Sequence, residues 1–288
     1  MRSNALIPNS EVNKDVKRQH FKIKTIGERP SLPVNGIGKA FVFSLLAAVV
    51  GSGAILGAER PLRPNIVLIV ADDLGWTGLG CYGSDFYETP NIDRLAAQGM
   101  RFVNGFANAS NCAPSRASLM SGQYVGRHRV LYVTHYQDKW KRRFGNLKRF
   151  RLLQPRGDKS LPNETLTLAE SLKQAGYRTA MFGKWHLGVR DQHQGRRGFD
   201  VAIESHGKHF GFDTTPPVDH DPDQYLSDFL AERAVQFIRE ARAARRPFFL
   251  YFPDFLIHKL FEAKAQYLAY FRQKKAGQYQ RSPMAAAM

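Results

Sequence analysis

Residues 65–73 read Asn-Ile-Val-Leu-Ile-Val-Ala-Asp-Asp, an unbroken apolar run that ends in two carboxylates. Such a run, rich in β-branched residues and without polar alternation, is typical of a strand buried on both faces and central in a mostly parallel sheet. Carboxylates that follow a central strand lie at the carboxyl edge of the sheet, where open α/β folds place their sites. This stretch therefore predicts an α/β fold with Asp72 and Asp73 at its candidate site.

The flanking sequence continues an alternation of helices and strands. Helical patterns are found at 89–99, 165–176 and 224–242, and strand patterns at 101–107, 177–183 and 247–252. A further helix is expected to begin at Ser115, just after Cys112 and Pro114. This order predicts a mostly parallel, doubly wound sheet flanked by helices.

Composition narrows the possible classes of protein. The chain has 288 residues, of which 43% are hydrophobic and 12% aromatic, so it has enough apolar material for a folded core. Its net charge of +17 favours an anionic partner. The charge does not choose among nucleic acid, acidic polysaccharide, a sulfated or phosphorylated substrate, and an anionic membrane surface. Two cysteines, Cys81 and Cys112, are too few for a disulfide scaffold or a four-thiolate zinc site.

The N-terminal region differs in pattern from the rest. Residues 1–38 are basic and lack apolar periodicity, so we predict a disordered extension there. Residues 39–58 combine Lys39, a short apolar run and small residues, a pattern typical of a secretory signal and too short for a stable membrane span. We expect export to the periplasm or medium, or anchoring if the segment stays uncleaved; a buried helix is the alternative. Residues 62–288 then hold the folded α/β part of the chain.

A second basic stretch spans 127–160, where Trp140, Phe144 and Phe150 are interleaved with Lys and Arg. It predicts either a segment that grips an anionic substrate or a solvated face. Since no nucleic-acid-binding module is visible in the sequence, nucleic acid is not an expected partner.

The Asp72-Asp73 pair is a candidate cation site. Adjacent carboxylates repel each other unless a cation compensates them, and oxygen ligands favour calcium or magnesium. The alternative is a helix cap beside a solvated acid.

The segment at 112–122 carries the most specific pattern. It reads Cys-Ala-Pro-Ser-Arg and ends in Ser-Gly, and a cysteine near a helix start is a candidate for a lowered pKa. A buried structural thiol and a Cys81–Cys112 disulfide are the alternatives. The pattern Cys-x-Pro-Ser-Arg-x-x-x-x-Ser-Gly resembles the signature of the type I, arylsulfatase-like sulfatases. The stretch at 175–188, which ends in Gly-Lys-Trp-His-Leu-Gly, resembles their second signature, and 247–252 followed by His258 resembles a further block.

The resemblance extends over about 64–270 and implies an alkaline phosphatase-like fold and a sulfuric ester hydrolase. It implies that a formylglycine-generating enzyme converts Cys112 to Cα-formylglycine, and that Asp72, Asp73 and residue 112 contact a divalent metal, Ca²⁺ or alternatively Mg²⁺. The expected substrate is a sulfated small molecule or a sulfated polysaccharide.

The same resemblance assigns a role to each remaining site residue. Arg116 neutralises local anionic charge, and Lys184 contacts the sulfate as a compact charge. His186 takes a proton from the hydrated formylglycine, and His258 contacts the sulfate or protonates the leaving alcohol. Since Lys184 and His186 are two residues apart, both face one site only in an extended loop.

The sequence departs from the family pattern in one respect. The second metal-ligand pair of the family, an Asp-Asn dipeptide, occurs nowhere after residue 116, so we expect a C-terminally truncated sulfatase with half of its metal site. The alternatives are a phosphonate or phosphate monoester hydrolase of the same superfamily, and an inactive remnant that binds acidic polysaccharide.

Overall fold

The computed structural model describes residues 63–133, 141–153, 155–188, 197–205, 207–275, 277 and 282–288, all within the unit Pro61–Met288. The predicted basic extension at 1–38 and the predicted signal segment at 39–58 lie outside the described residues. In the described part of the chain, no helix has the length and apolar character needed to cross a membrane.

The strands of the described residues form one sheet. They are β1 (Ile66–Val70), β2 (Arg178–Gly183), β3 (Val201–Ser205), β4 (Thr214–Thr215) and β5 (Phe248–Pro253), in the order β1-β5-β2-β3-β4. All neighbouring pairs are parallel except β3 and β4, with Ile66 opposite Phe249 and Arg178 opposite Phe248. The predicted mostly parallel sheet is therefore confirmed.

Helices cover both faces of this sheet. They are α1 (Pro90–Gln98), α2 (Cys112–Ser121), α3 (Val125–His128), α4 (Leu168–Gln174), α5 (Leu226–Ala243), α6 (Ala265–Gln273) and α7 (Pro283–Ala287). Ala117 and Met120 of α2 pack with Met181 and Tyr251 on one face, and Phe229 of α5 belongs to the core on the other face. Because successive strand residues point to opposite faces, the apolar runs of β2 and β5 supply both cores.

Strand β1 differs from its prediction. It lies at the edge of the sheet and pairs only with β5 among the described residues. Ile66 and Leu68 pack against the α2 side, whereas Val67 and Ile69 point to the other face, where Ile69 is 62% exposed. The prediction of a central strand buried on both faces was wrong because α5 covers β2 and β5 on that face. A continuous apolar run does not show how far the covering layer extends.

Residues 101–107 were predicted to form a strand and do not. The segment forms turns, its residues are exposed, and Phe106 is 88% exposed. Its apolar composition suggested a strand, but the segment pairs with no strand of the described sheet.

Candidate active site

The carboxyl edge of the sheet brings the predicted polar residues together. Asp72 follows β1, Lys184 follows β2, and residues 254–258 follow β5. The main chain of Asp72 is fixed to the last of these segments, since its N–H donates to the Leu256 carbonyl and its own carbonyl accepts from Ile257 N–H, both at 2.7 Å. The segments that follow the neighbouring strands β1 and β5 are thus joined by main-chain hydrogen bonds.

Asp72, Arg116 and Lys184 form a buried cluster of charges at this edge. Arg116 Nη2 lies 3.2 Å from Asp72 Oδ1, and Lys184 Nζ lies 2.5 Å from Asp72 Oδ2. The residues are 4%, 2% and 7% exposed, respectively. Burial alone raises the pKa of Asp72, but the hydrogen bond from Lys184 and the charge of Arg116 outweigh it and hold that pKa below its usual value. One carboxylate is therefore compensated by two cations, which leaves a net positive charge.

Arg116 is further fixed by neutral acceptors. Its Nη1 donates to the Lys184 carbonyl at 2.8 Å and to the Tyr251 hydroxyl at 3.4 Å. Its Nε is buried and has no hydrogen-bond partner among the described residues. A buried guanidinium with a spare donor is suited to an anionic ligand.

Lys184 and His186 lie in an irregular segment after β2, which is not the extended loop that their spacing predicted. The residue between them, Trp185, is fully buried in the core with Phe199. His186 has a positive φ of 59°, which is rare for a residue with a side chain, and its buried Nδ1 has no partner among the described residues. Burial, together with the charges of Lys184 and Arg116, lowers the pKa of His186 from 6.5 to about 4. This imidazole is neutral and able to accept a proton at neutral pH.

His258 and Asp73 form a second, more exposed pair. His258 Nε2 lies 3.8 Å from Asp73 Oδ2, and the side chain of Asp73 is 59% exposed. Asp73 has a positive φ of 61°. The adjacent carboxylates of Asp72 and Asp73 therefore differ in environment, since one is buried between cations and the other is open to solvent.

Cys112 occupies the first turn of α2, which begins at Cys112 and not at Ser115 as predicted. Both Cys112 and Cys81 are free thiols, so the alternative of a disulfide between them is wrong. Cys112 lies four residues before Arg116, so both lie on the same side of α2. The helix thus connects residue 112 with the charged cluster through Arg116.

The donor set does not by itself fit a divalent metal. Calcium takes six to eight oxygen ligands and magnesium six, whereas the segments after β1 and β5 offer Asp72, Asp73 and Asp254, the last of which already accepts three hydrogen bonds. Both oxygens of Asp72 already contact cationic side chains. In the described part of the chain, no group of three or more His, Cys, Asp or Glu side chains is placed to hold a metal ion.

Two contributors to the site were not singled out from the sequence. Tyr251 accepts a hydrogen bond from Arg116, and Asp254 accepts hydrogen bonds from Ser227 and from the Phe255 and Leu256 N–H groups. Burial raises the pKa of Asp254 despite these hydrogen bonds. The signal for Asp254 was present, because it follows a buried strand just as Asp72 does.

Comparison with known proteins identifies the family. The Sulfatase family model matches residues 64–286. The chain belongs to the sulfatase family. It is 35% identical to rat (Rattus norvegicus) arylsulfatase G over 263 residues, which covers 75% of this chain and 46% of the relative. It is 34% identical to rat N-acetylgalactosamine-6-sulfatase over 247 residues, which covers 78% and 45%. This sulfatase chain thus spans about half the length of these relatives.

A solved structure supports the same assignment. The crystal structure of Ps i-CgsB in complex with k-i-k-neocarrahexaose matches with a TM-score of 0.62 and 28% identity, covering 78% of this chain and 51% of that chain. The predicted sulfatase membership and the alkaline phosphatase-like fold are confirmed.

Proposed function

We propose that this site hydrolyses a sulfate ester, with residue 112 as the nucleophile after conversion of Cys112 to formylglycine. The observation that carries the proposal is the buried cluster of Arg116 and Lys184, which together outnumber Asp72 and leave a net positive site beside the helix of Cys112. A sulfate ester is anionic, and preorganised buried cations stabilise charge on its oxygens more strongly than water does.

The modified residue supplies one piece of chemistry. When hydrated, the aldehyde offers one hydroxyl oxygen to attack sulfur and a second hydroxyl that allows sulfate to leave. The position of residue 112 in the first turn of α2 brings these oxygens towards the dipole-positive end of the helix.

The histidines divide the proton transfers in the proposed reaction. His186 is neutral above about pH 4, so it accepts the proton that the second hydroxyl loses when the bond between residue 112 and sulfate breaks. In the first step the attacking hydroxyl loses its proton to solvent water as its oxygen bonds to sulfur, and His258, beside Asp73, gives a proton to the alcohol oxygen as the sulfur–oxygen bond of the ester breaks. Each histidine then exchanges its proton with solvent.

The metal expected from the resemblance takes no part in these steps. Asp72 and Asp73 are the residues of this chain that would contact Ca²⁺ or Mg²⁺, but Asp72 would first have to release Lys184. The remaining ligands would have to come from water, substrate or other polypeptide.

The experiment compares two aryl esters. The chain, co-expressed with a formylglycine-generating enzyme, is assayed with 4-nitrophenyl sulfate and 4-nitrophenyl phosphate. We expect sulfate hydrolysis that is lost in Cys112→Ala and Lys184→Met. Faster turnover of the phosphate would favour the phosphomonoesterase alternative, and turnover unchanged in Cys112→Ala would contradict the proposal.

The pattern at 39–58 supports a further proposal, that the protein is exported. Cleavage of this segment in the secreted product, found by N-terminal sequencing, is the expected result.

A further inference from the structure

Between α3 and α4 the chain exposes basic side chains that the proposed reaction does not use. In the described residues of 127–159, these are Arg127, Arg129, Lys141, Arg142, Arg143, Lys148, Arg151, Arg156 and Lys159. The acidic residue among the described part of this stretch is Asp158, which lies 3.6 Å from Arg129. We call the described residues of 127–159 the basic segment.

Both ends of the basic segment are attached next to the site. At its start, the buried His128 shares a hydrogen bond of 2.9 Å with Ser118 of α2, the helix that carries Cys112 and Arg116. Just after its end, Leu161 N–H donates to the carbonyl of Leu187, the residue after His186.

The two ends also meet each other. Asp158 N–H donates to the Arg129 carbonyl at 2.7 Å, and Gly157 lies so close to that carbonyl that an added Cβ would be 2.7 Å from it. The two described ends of the basic segment are therefore joined to each other beside the candidate site.

The amount of charge argues for a polymeric ligand. One sulfate ester carries a single negative charge, which the buried Arg116 and Lys184 already accommodate. Exposed cations gain little from one small anion, but they bind a polyanion by releasing its condensed counterions. Within the segment, Arg143 lies over the ring of Phe144 at 5.4 Å, and Phe144 packs edge-on against Phe150 at 5.6 Å, which holds this part of the charged surface in place.

We propose that the basic segment binds a sulfated polysaccharide and delivers its sulfate esters to the site, so that the substrate is a polymer and not a small aryl sulfate. The proposal rests on the function proposed above. Nucleic acid is also a polyanion, but the attachment of the segment at both ends to a sulfate-ester site favours the polysaccharide.

The test uses heparin as the sulfated probe and single-stranded DNA as the competitor. In the triple variant Lys141→Glu, Arg142→Glu, Arg143→Glu, we expect heparin affinity at physiological ionic strength to fall about tenfold or more, with a shallower salt dependence. The control reverses Arg242, Arg245 and Arg246, which are exposed just before β5, at the opposite edge of the sheet. It makes the same change in net charge, and we expect a much smaller loss of affinity.

The outcomes separate this inference from the proposed function. Equal losses of affinity in the two triple variants, or DNA that displaces heparin at equal charge concentration, would overturn the inference. If the charge-reversed chain does not fold by circular dichroism, the neutral variant Lys141→Gln, Arg142→Gln, Arg143→Gln replaces it and must weaken heparin binding. Turnover of 4-nitrophenyl sulfate by the wild-type chain reports on the function alone, because that ester carries one negative charge and releases no condensed counterions.

Discussion

At the scale of single residues, the site depends on how charge is shared around Asp72. Its carboxylate contacts two cations, and those cations are also the groups that would bind an anionic substrate. Removing either cation leaves a buried charge with fewer partners, which costs more than losing an exposed ion pair. Stability and function at this edge are therefore linked through the same side chains.

Lys184→Met tests this link. We expect a loss of about 3 kcal/mol in unfolding free energy, the lower end for a broken buried pair, because Arg116 still contacts Asp72. The control is Lys173→Met, which breaks the exposed Lys173–Asp200 pair at 2.6 Å and is expected to cost less than about 1 kcal/mol. Urea unfolding of the three proteins gives the comparison. Equal losses in the two variants would show that the buried cluster is not special.

His186 makes stability depend on pH. The folded chain keeps this imidazole neutral down to about pH 4, whereas the unfolded chain takes up the proton near its ordinary pKa of 6.5. Between these values the unfolded state binds more protons, so the unfolding free energy falls as the pH is lowered from 6.5 towards 4. In His186→Gln this part of the slope is expected to vanish. An unchanged slope, measured by denaturant unfolding across that range, would contradict the burial of the imidazole.

At the scale of elements, the close approach of the parallel neighbours β2 and β5 at their carboxyl ends places Lys184. Gly183 has a φ of 130°, and a Cβ on it would lie 2.1 Å from the Pro253 carbonyl oxygen. The next N–H, that of Lys184, donates to this same carbonyl at 2.9 Å. Only glycine permits this approach, so the position of the lysine depends on the residue before it.

Gly183→Ala is therefore expected to destabilise the fold by about 3 kcal/mol or more, because backbone atoms must move apart in a packed core. Gly126→Ala is the control, since Gly126 is in helix α3 and nothing lies within 4 Å of its added Cβ. There we expect no loss or a small gain in stability. Thermal unfolding distinguishes the two, and a Gly183→Ala protein as stable as the wild type would contradict the close approach.

Many of the helices and strands were predictable from the sequence. The apolar runs predicted β1, β2 and β5, and Thr167 and Glu170 form a capping box at α4, within the predicted helix at 165–176. What could not be predicted was which strand would be central, since β1 and β5 have similar runs and differ only in what covers them. The contact between Lys184 and Asp72 was also missed, because it depends on long-range register and not on a local pattern.

At the scale of the whole molecule, the described chain exposes many large apolar side chains. The open edge of β1, the side chains of α1 and residues 100–106 are largely uncovered. Apolar surfaces of this kind promote association, as do unpaired strand edges without charged residues.

We therefore expect the isolated chain to self-associate. Replacing Phe102 and Phe106, which are 68% and 88% exposed, with Ser should raise the monomer fraction in light scattering. The control replaces Leu152 and Leu153 with Ser, which are also exposed but lie in the basic segment, and should change it less. A wild-type chain that is monomeric at all concentrations tested would contradict this expectation.

The chemistry proposed for the site depends on residue 112 carrying a carbonyl group. The most direct measurement is mass spectrometry of the peptide that contains residue 112, from the chain co-expressed with a formylglycine-generating enzyme. The account predicts an aldehyde at that position, trapped by a hydrazine reagent and absent from Cys112→Ala. An unmodified thiol under these conditions, in a chain that still hydrolyses 4-nitrophenyl sulfate, would contradict it.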